Sequence, residues 1–466
     1  MHMFTKVIVL ASLPAIMVGL FAVSLIGPWP TYSSHFEGTR YYEQGLADIA
    51  AQARESDITS SPGRLEAGWA AVCINPPKPG VPLAGYGDRR GAPSEGVHDD
   101  LHVKALALSD GKDTVVFVGA DMLLIPENVA EMVREEVAEK TALTANDLYF
   151  AASHTHCSVG GFGPGIAAFV TGGKYDPDIP VFLAHAFAQA IVDAYGKLGP
   201  AKLAHGGVMA PEFIDNRTRT APVDAELSYA LVERESGERC YLVSFSAHPT
   251  EMSGDTMQFT GSYPGFLQEA IKQSGAEAVY LGGAVGSMRS RTPDGPDVFA
   301  RSKALGEALA ERVLGDAKSA TFETNLDIAS VGANLTMPPL QIRPLSDRWR
   351  LSKFAGPLVG LDTDGWVQAV RIGDILFVGM PGDFSGEISV KWKESANQDG
   401  RDLWATSFSA DYVGYISPDE YYGEVKDEHG NPAYETGLMS WTGPHQEAFF
   451  TAIKDHMLAA ITSPGQ

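Results

Sequence analysis

The segment Tyr149-Phe-Ala-Ala-Ser-His154-Thr-His156-Cys-Ser-Val-Gly-Gly-Phe-Gly-Pro-Gly165 concentrates more chemistry than any other stretch of the chain. An apolar, strand-like run ends in His-x-His and then breaks into a glycine-rich loop. In an extended chain, residues two apart project to the same side, so His154 and His156 are expected to face one ligand together. Imidazole is the commonest protein ligand for zinc and an acid/base near neutral pH. The glycines allow the backbone to approach that ligand closely. This segment reads as half of an active site.

Other apolar runs also end in residues capable of chemistry. Tyr241-Leu-Val-Ser-Phe-Ser-Ala-His248 ends in an imidazole, and Ile375-Leu-Phe-Val-Gly-Met-Pro-Gly-Asp383 in a carboxylate. Ala278 to Ser287 closes on a glycine-rich turn holding a hydroxyl, Ser407 to Tyr415 on the phenols Tyr412 and Tyr415, and a further run on Asp121. Open α/β sheets bind ligands beyond the carboxyl ends of their strands. If these strands lie side by side, their terminal residues converge on one cleft. Two histidines and a carboxylate with an open position describe a catalytic zinc site. Plainer roles compete with this one. Asp383 can cap the helix expected after it, and Tyr412 and Tyr415 can be core aromatics. His98 and His102 flank Asp99-Asp100, where a solvated turn is favoured over a second metal site.

The elements that must position these groups alternate between strand and helix. Thr114–Ala120 and Leu148–Ser153 read as buried strands, with a helix from Pro126 to Lys140 between them. Val181–Leu198 is an amphipathic helix stopped by Gly199-Pro200. Tyr241–Ser246 and Ala278–Leu281 are strands separated by a helix over Gly265–Gln273, and Val298–Leu314 is helical. Trp366–Ile372 and Ile375–Met380 flank Gly373-Asp374, a two-residue hairpin turn. Leu403–Phe408 is a late strand, Pro444–Ile461 a final helix, and Met337–Gly360 a long loop. The fold expected is α/β, a mixed β-sheet core layered with helices in a single large catalytic domain.

The 466 residues can bury one large core or two moderate ones. A net charge of −23 argues against a nucleic-acid partner, which needs a basic face. Cys73, Cys157 and Cys240 are too few and too widely spaced for a disulfide framework or zinc knuckle. Cys157, next to His156, is read as a small buried loop residue. Val7–Gly27 is almost wholly apolar and just long enough to span a bilayer. With Lys6 before it and no clean A-x-A site after it, it is expected to be an uncleaved transmembrane helix holding the body outside the cytoplasm; cleavage near Ser33-Ser34 would release that body. The expected organisation is an anchor or signal segment over 1–30, a polar linker over 31–64 with helical character from Thr39 to Glu55, and a catalytic domain over 65–466.

Taken together, these motifs resemble the neutral/alkaline (non-lysosomal) ceramidase family over about residues 65 to 455. The similarity rests on Gly85-Tyr86-Gly87 with Gly96-Val-His-Asp-Asp-Leu, Ser153-His-Thr-His156, Asn216-Arg217-Thr218 and Ser246-Ala-His248-Pro-Thr. It continues in Pro381-Gly-Asp-Phe, Asp411-Tyr-Val-Gly-Tyr415, Tyr434-Glu435 and Gly443-Pro444, in the family's order. The resemblance implies a Zn2+ amidase cleaving the N-acyl bond of sphingoid lipids. It implies His154, His248, Asp383 and Tyr415 as zinc ligands. His156, Arg217 and Ser287 would be catalytic, and Gly85 and Tyr434 would bind substrate. The residues alone leave open whether His156 also binds metal; the resemblance puts it on the substrate side.

Three departures mark this chain. Where the family carries Gly-Asp-x-Ser-Pro, it reads Gly286-Ser-Met-Arg-Ser290, so Arg289 aligns with the catalytic serine. Ser287, Ser290 or water is then the nucleophile. Asp383 stands in place of Glu, and the chain is expected to lack the family's immunoglobulin-like C-terminal domain. The expected function is hydrolysis of an amide, of ceramide or a related N-acylated lipid. The alternatives are a zinc hydrolase of another amide or ester using metal-bound water, and a pseudo-enzyme that binds a lipid or glycan.

Overall fold

The structure is a computed structural model that describes residues 14–25, 27, 29–55, 62–343, 348–356, 360–361, 363–424, 426 and 433–462. The larger of its two main sheets comprises β1 (Glu66–Cys73), β2 (His102–Ser109), β3 (Thr114–Ala120), β4 (Leu148–Ala152), β5 (Gly199–Met209), β6 (Glu226–Arg234), β7 (Arg239–Phe245) and β8 (Glu277–Gly282). Their spatial order is β8-β7-β6-β5-β1-β2-β3-β4. The smaller sheet runs β9 (Ile328–Thr336), β10 (Asp364–Ile372), β11 (Ile375–Met380), β12 (Asp402–Ser407). Pairs β3/β4, β7/β8 and β11/β12 are parallel, and the other neighbours antiparallel.

The two sheets share a core in which Phe117, Tyr149, Leu242, Leu281, Phe377 and Trp404 meet. Burying each such side chain contributes about 1.5–3 kcal/mol. Strands buried on both faces read as continuous apolar runs, which is why β3, β4, β7, β8 and β11 are legible in the sequence. Helices close the outer faces. The larger sheet is covered by α2 (Glu127–Lys140) and α3 (Asp178–Tyr195) at one end and by α4 (Ser262–Gln273) and α5 (Val298–Asp316) at the other. The smaller is covered by α1 (Arg40–Glu55), α6 (Gly386–Gln398) and α7 (Gln446–Thr462). The result is a mixed α/β fold in four layers.

The segment Thr39–Glu55, expected as a linker, is instead part of this packing. Helix α1 buries Tyr42 and Ile49 with Leu335 of β9 and Phe449 and Ile453 of α7. Its polar residues mask a narrow apolar stripe. The expected transmembrane helix is not found: among the described residues no helix is long and apolar enough to cross a membrane. Residues 14–25 are helical. The earlier part of the predicted span, residues 7–13, lies outside the described residues. Met337–Gly360 carries only Trp349–Arg350 as regular strand, paired with Trp29–Pro30, where described.

Candidate metal centre

The loops that leave β4, β7, β8, β11 and β12 meet at one buried cluster. Strand β4 ends as Ser153 N–H donates to Ala120 O (2.8 Å). His154 then adopts φ +64°, in the left-handed region. A turn, not the strand pleat, therefore brings His154 and His156 together, with nearly perpendicular rings 4.8 Å apart. The strained backbone is held from two sides. The His154 ring stacks on Phe408 at 4.2 Å, and its Nδ1–H donates to the Leu123 carbonyl. His248, after β7, donates Nδ1–H to Val285 O at 3.3 Å. With Nδ1 committed, Nε2 of both rings is left as a lone pair.

Those lone pairs converge. His156 Nε2 lies 3.2 Å from His154 Nε2 and 3.1 Å from His248 Nε2. Asp383 Oδ1 lies 3.4 Å from His154 Nε2, is buried, and receives no hydrogen bond among the described residues. Its other oxygen accepts from Tyr412 Oη at 2.6 Å. Burial pulls the His154 pKa down to about 3, and those of His156 and His248 well below the usual imidazole value. Burial also pushes Asp383 up to about 6, against the pull of the Tyr412 hydrogen bond. Converging neutral imidazoles beside an unsatisfied carboxylate oxygen form a donor set that calls for a cation. Zinc bonds of about 2.0–2.1 Å place tetrahedral ligands about 3.3 Å apart, which fits these separations.

Tyr415 sits opposite Asp383, because the short strands Asp383–Phe384 and Tyr415–Ile416 pair in parallel. The Tyr415 hydroxyl accepts from Arg217 Nη2 at 3.0 Å. Arg217 follows Ile214–Asn216, which pairs antiparallel with Met288–Ser290. It also donates from Nη2 to Gly286 O (2.7 Å) and from Nε to Glu435 Oε1 (2.8 Å). Burial lowers the pKa of Arg217, but Tyr415 and Glu435 outweigh it and raise the value above its usual one.

The remaining predicted residues are placed as follows. Ser287 is buried, and its hydroxyl pairs with Ser385 Oγ (3.1 Å), the residue capping α6, with no hydrogen bond to an imidazole. Arg289 stands across the strand pair from Asp215 and forms a surface ion pair with it (2.7 Å). Ser290 Oγ donates to Glu251 at 3.4 Å. Tyr434 is half-exposed, and its ring meets that of Tyr415 edge-on at 5.5 Å. Gly85 backs onto the centre: a Cβ there would lie 2.6 Å from His156 Cα. Asp383 does not cap the following helix, a role taken by Ser385. Asp121 accepts from His102 N–H (2.9 Å) and Gln268 Nε2 (3.2 Å), and so ties elements together. His98 stacks on Phe299 at 3.9 Å, and among the described residues the His154, His156, His248 group is the one with metal-ligating spacing. Burial raises the Cys157 thiol to about 11 and keeps it inert.

Sequence reasoning missed three supports. Phe408 stacks on His154, and Glu435 pairs with Arg217. Arg89 is buried and donates to the carbonyls of Ala84 and His156, to Gly254 O and to Cys157 Sγ. In Gly87-Asp-Arg-Arg, nothing distinguishes the buried arginine from the exposed one; Glu435 was visible only as the neighbour of Tyr434.

Residues 66–261 match the family described as neutral/alkaline non-lysosomal ceramidase, N-terminal, which bears out the resemblance over Gly85, His154, His156, Arg217 and His248. Among solved structures, the neutral ceramidase from Pseudomonas aeruginosa aligns with a TM-score of 0.74 at 17% identity, covering 86% of this chain and 75% of that one. A ceramidase complexed with C2 aligns with a TM-score of 0.72 at 17% identity, covering 85% and 75%. At this identity the likeness shows the shared fold. No curated protein gives a significant match.

Proposed function

We propose that this chain is a zinc-dependent hydrolase that cleaves the amide bond of an N-acylated lipid, ceramide or a close relative. The observation that carries the proposal is the buried cluster of His154, His156 and His248 at metal-ligating spacing, with Asp383 Oδ1 3.4 Å from His154 Nε2 and a fixed arginine beside it. The two solved structures above are ceramidases by name, and the family match supports the same chemistry. His154, His248, Asp383 and Tyr415 would hold the ion, which when bound supplies Lewis acidity toward an acyl oxygen or water.

The chain's own groups do the rest. Water attacks the acyl carbon, His156 takes its proton, and the same imidazole returns a proton to the departing amine as the C–N bond breaks. The products are a fatty acid and a free amine. Arg217 donates to the acyl oxygen, where negative charge builds in the transition state. Tyr434, at the rim, orients the substrate. Water is favoured over Ser287 because that hydroxyl is engaged with Ser385. A second reading, with His156 as a ligand itself, is favoured by its 3.1 and 3.2 Å distances to the other imidazoles.

Elemental analysis and hydrolysis of N-acyl sphingosines test the proposal together. Stoichiometric zinc with chelator-sensitive release of fatty acid supports it. Zinc without turnover on an amide and ester panel points to a binding protein, and absence of metal from active protein overturns the zinc assignment. An extracytoplasmic location belongs to the same proposal and is tested by protease accessibility in intact cells.

A further inference from the structure

We infer that Glu435 is a positioning residue for Arg217, fixing its guanidinium so that Nη1 alone is presented to the acyl oxygen; this rests on the amide-hydrolase reading above. Glu435 takes the Nε donor at 2.8 Å, and Gly286 O and Tyr415 Oη take Nη2 at 2.7 and 3.0 Å. Nη1 has no protein partner among the described residues. One edge of the planar fork is thus occupied, which sets the direction of the remaining nitrogen.

The carboxylate is itself held. Glu435 is 2% exposed, and Arg219 Nη1 lies 3.8 Å from its second oxygen. Arg219 is anchored in turn by Glu387 (3.0 Å) and Glu424 (3.4 Å), and Glu387 accepts from Asn216 Nδ2 at 2.8 Å. A chain of ion pairs therefore runs from Glu387 in the first turn of α6 through Arg219 and Glu435 to Arg217. Glu435 also occupies the π-helical turn Tyr434–Leu438, a backbone form that recurs at functional sites. In that turn Tyr434 stands half-exposed at the rim while the next residue reaches inward. The turn thus couples the mouth of the site to the orientation of its arginine. A purely structural ion pair would need neither this adjacency nor an unshared donor.

The test is a double-mutant cycle on the full chain with Glu435→Ala and Arg217→Ala, alongside Glu435→Asp and Glu435→Gln. On N-acyl sphingosine, Glu435→Ala is expected to lower kcat/KM by about 10- to 100-fold, mainly through kcat, with zinc content unchanged. The double variant should fall within about two-fold of Arg217→Ala alone. Glu435→Asp should recover part of the loss, and Glu435→Gln less. Palmitate binding by calorimetry gives a readout independent of turnover, since its carboxylate needs the same donor; Glu435→Ala and Arg217→Ala should weaken it alike and non-additively. If wild type fails to hydrolyse N-acyl sphingosine, the functional reading falls and the palmitate cycle still decides the positioning role. Additive effects, or loss of stability and metal without recovery by aspartate, overturn the inference. So does a wild-type protein that neither turns over the amide nor binds palmitate.

Discussion

Gly85→Ala perturbs the centre without touching any of its polar atoms. The new Cβ would lie 2.6 Å from both Cα and Cβ of His156 and 2.7 Å from its carbonyl oxygen. Ordinary carbon contacts need about 3.5 Å, so His156 must retreat by close to 1 Å or Gly85 must move. Gly85 is poorly placed to move. Residues 83–84 pair with 158–159, and Gly85 N–H donates to Thr171 O at 2.8 Å. Its φ of +123° adds a cost on the order of 1–3 kcal/mol for any side chain. Metal ligands tolerate shifts of only about 0.2 Å, and a misplacement of about 1 Å in a reacting group costs about 100-fold in rate. The expected result is a fall of about 100-fold in kcat/KM with a folded protein. Zinc analysis of the same variant separates the two roles of His156. Retained zinc with lost turnover marks it as the proton carrier, and loss of both marks it as a ligand. Wild-type activity and wild-type zinc together would refute the argument that Gly85 is there to make room for His156.

Asp383→Asn removes the carboxylate oxygen that faces the imidazoles, and zinc affinity should drop by at least 10-fold in a competition assay against a chromogenic chelator. Ser287→Ala should retain turnover within about five-fold, at a stability cost of about 1 kcal/mol for the lost Ser385 bond; abolition of turnover with metal intact would instead identify the serine as nucleophile. Arg89→Met strips donors from the carbonyls of Ala84 and His156 and should lower unfolding free energy by about 2–4 kcal/mol in urea titrations. His205 has its pKa raised by a 3.1 Å hydrogen bond to Asp402, which outweighs the opposing effect of burial. The stability it contributes is full below its unfolded pKa and fades as pH rises through the folded one. Asp402→Asn should accordingly lower Tm more at pH 5.5 than at pH 8.5, and an equal drop at both would exclude this linkage.

The legible parts of the fold were those whose local pattern and tertiary role agree. Strands β3, β4, β7, β8 and β11 are largely apolar because both faces are covered, and each leads into a chemical group beyond its carboxyl end. Strand β5, Gly199-Pro-Ala-Lys-Leu-Ala-His-Gly-Gly-Val-Met209, opens on Gly-Pro and breaks its apolar residues with Lys202, His205 and Gly206-Gly207. Pairing with its neighbours β1 and β6 makes it a strand, and its sequence carries no strand signal of its own. The same division applies inside the site. His154, His248 and Asp383 announce themselves as polar residues ending apolar runs. Phe408 and Glu435 do not, since an aromatic after a strand and an acid in a polar turn are ordinary.

The His-x-His motif shows how a correct contact can follow from the wrong geometry. An extended chain would place both rings on one side at a separation set by the pleat, and the site would then be a shallow face of β4. The left-handed turn at His154 instead directs its ring onto Phe408 and its Nε2 toward His248 and Asp383. Left-handed φ in a non-glycine residue is costly unless surrounding bonds enforce it. Here they come from Leu123, Phe408 and the Arg89 clamp on the His156 carbonyl, each from a different segment. The imidazole cluster is therefore a property of the assembled fold: its two halves come from loops after β4 and β7, and neither loop holds this conformation on its own contacts.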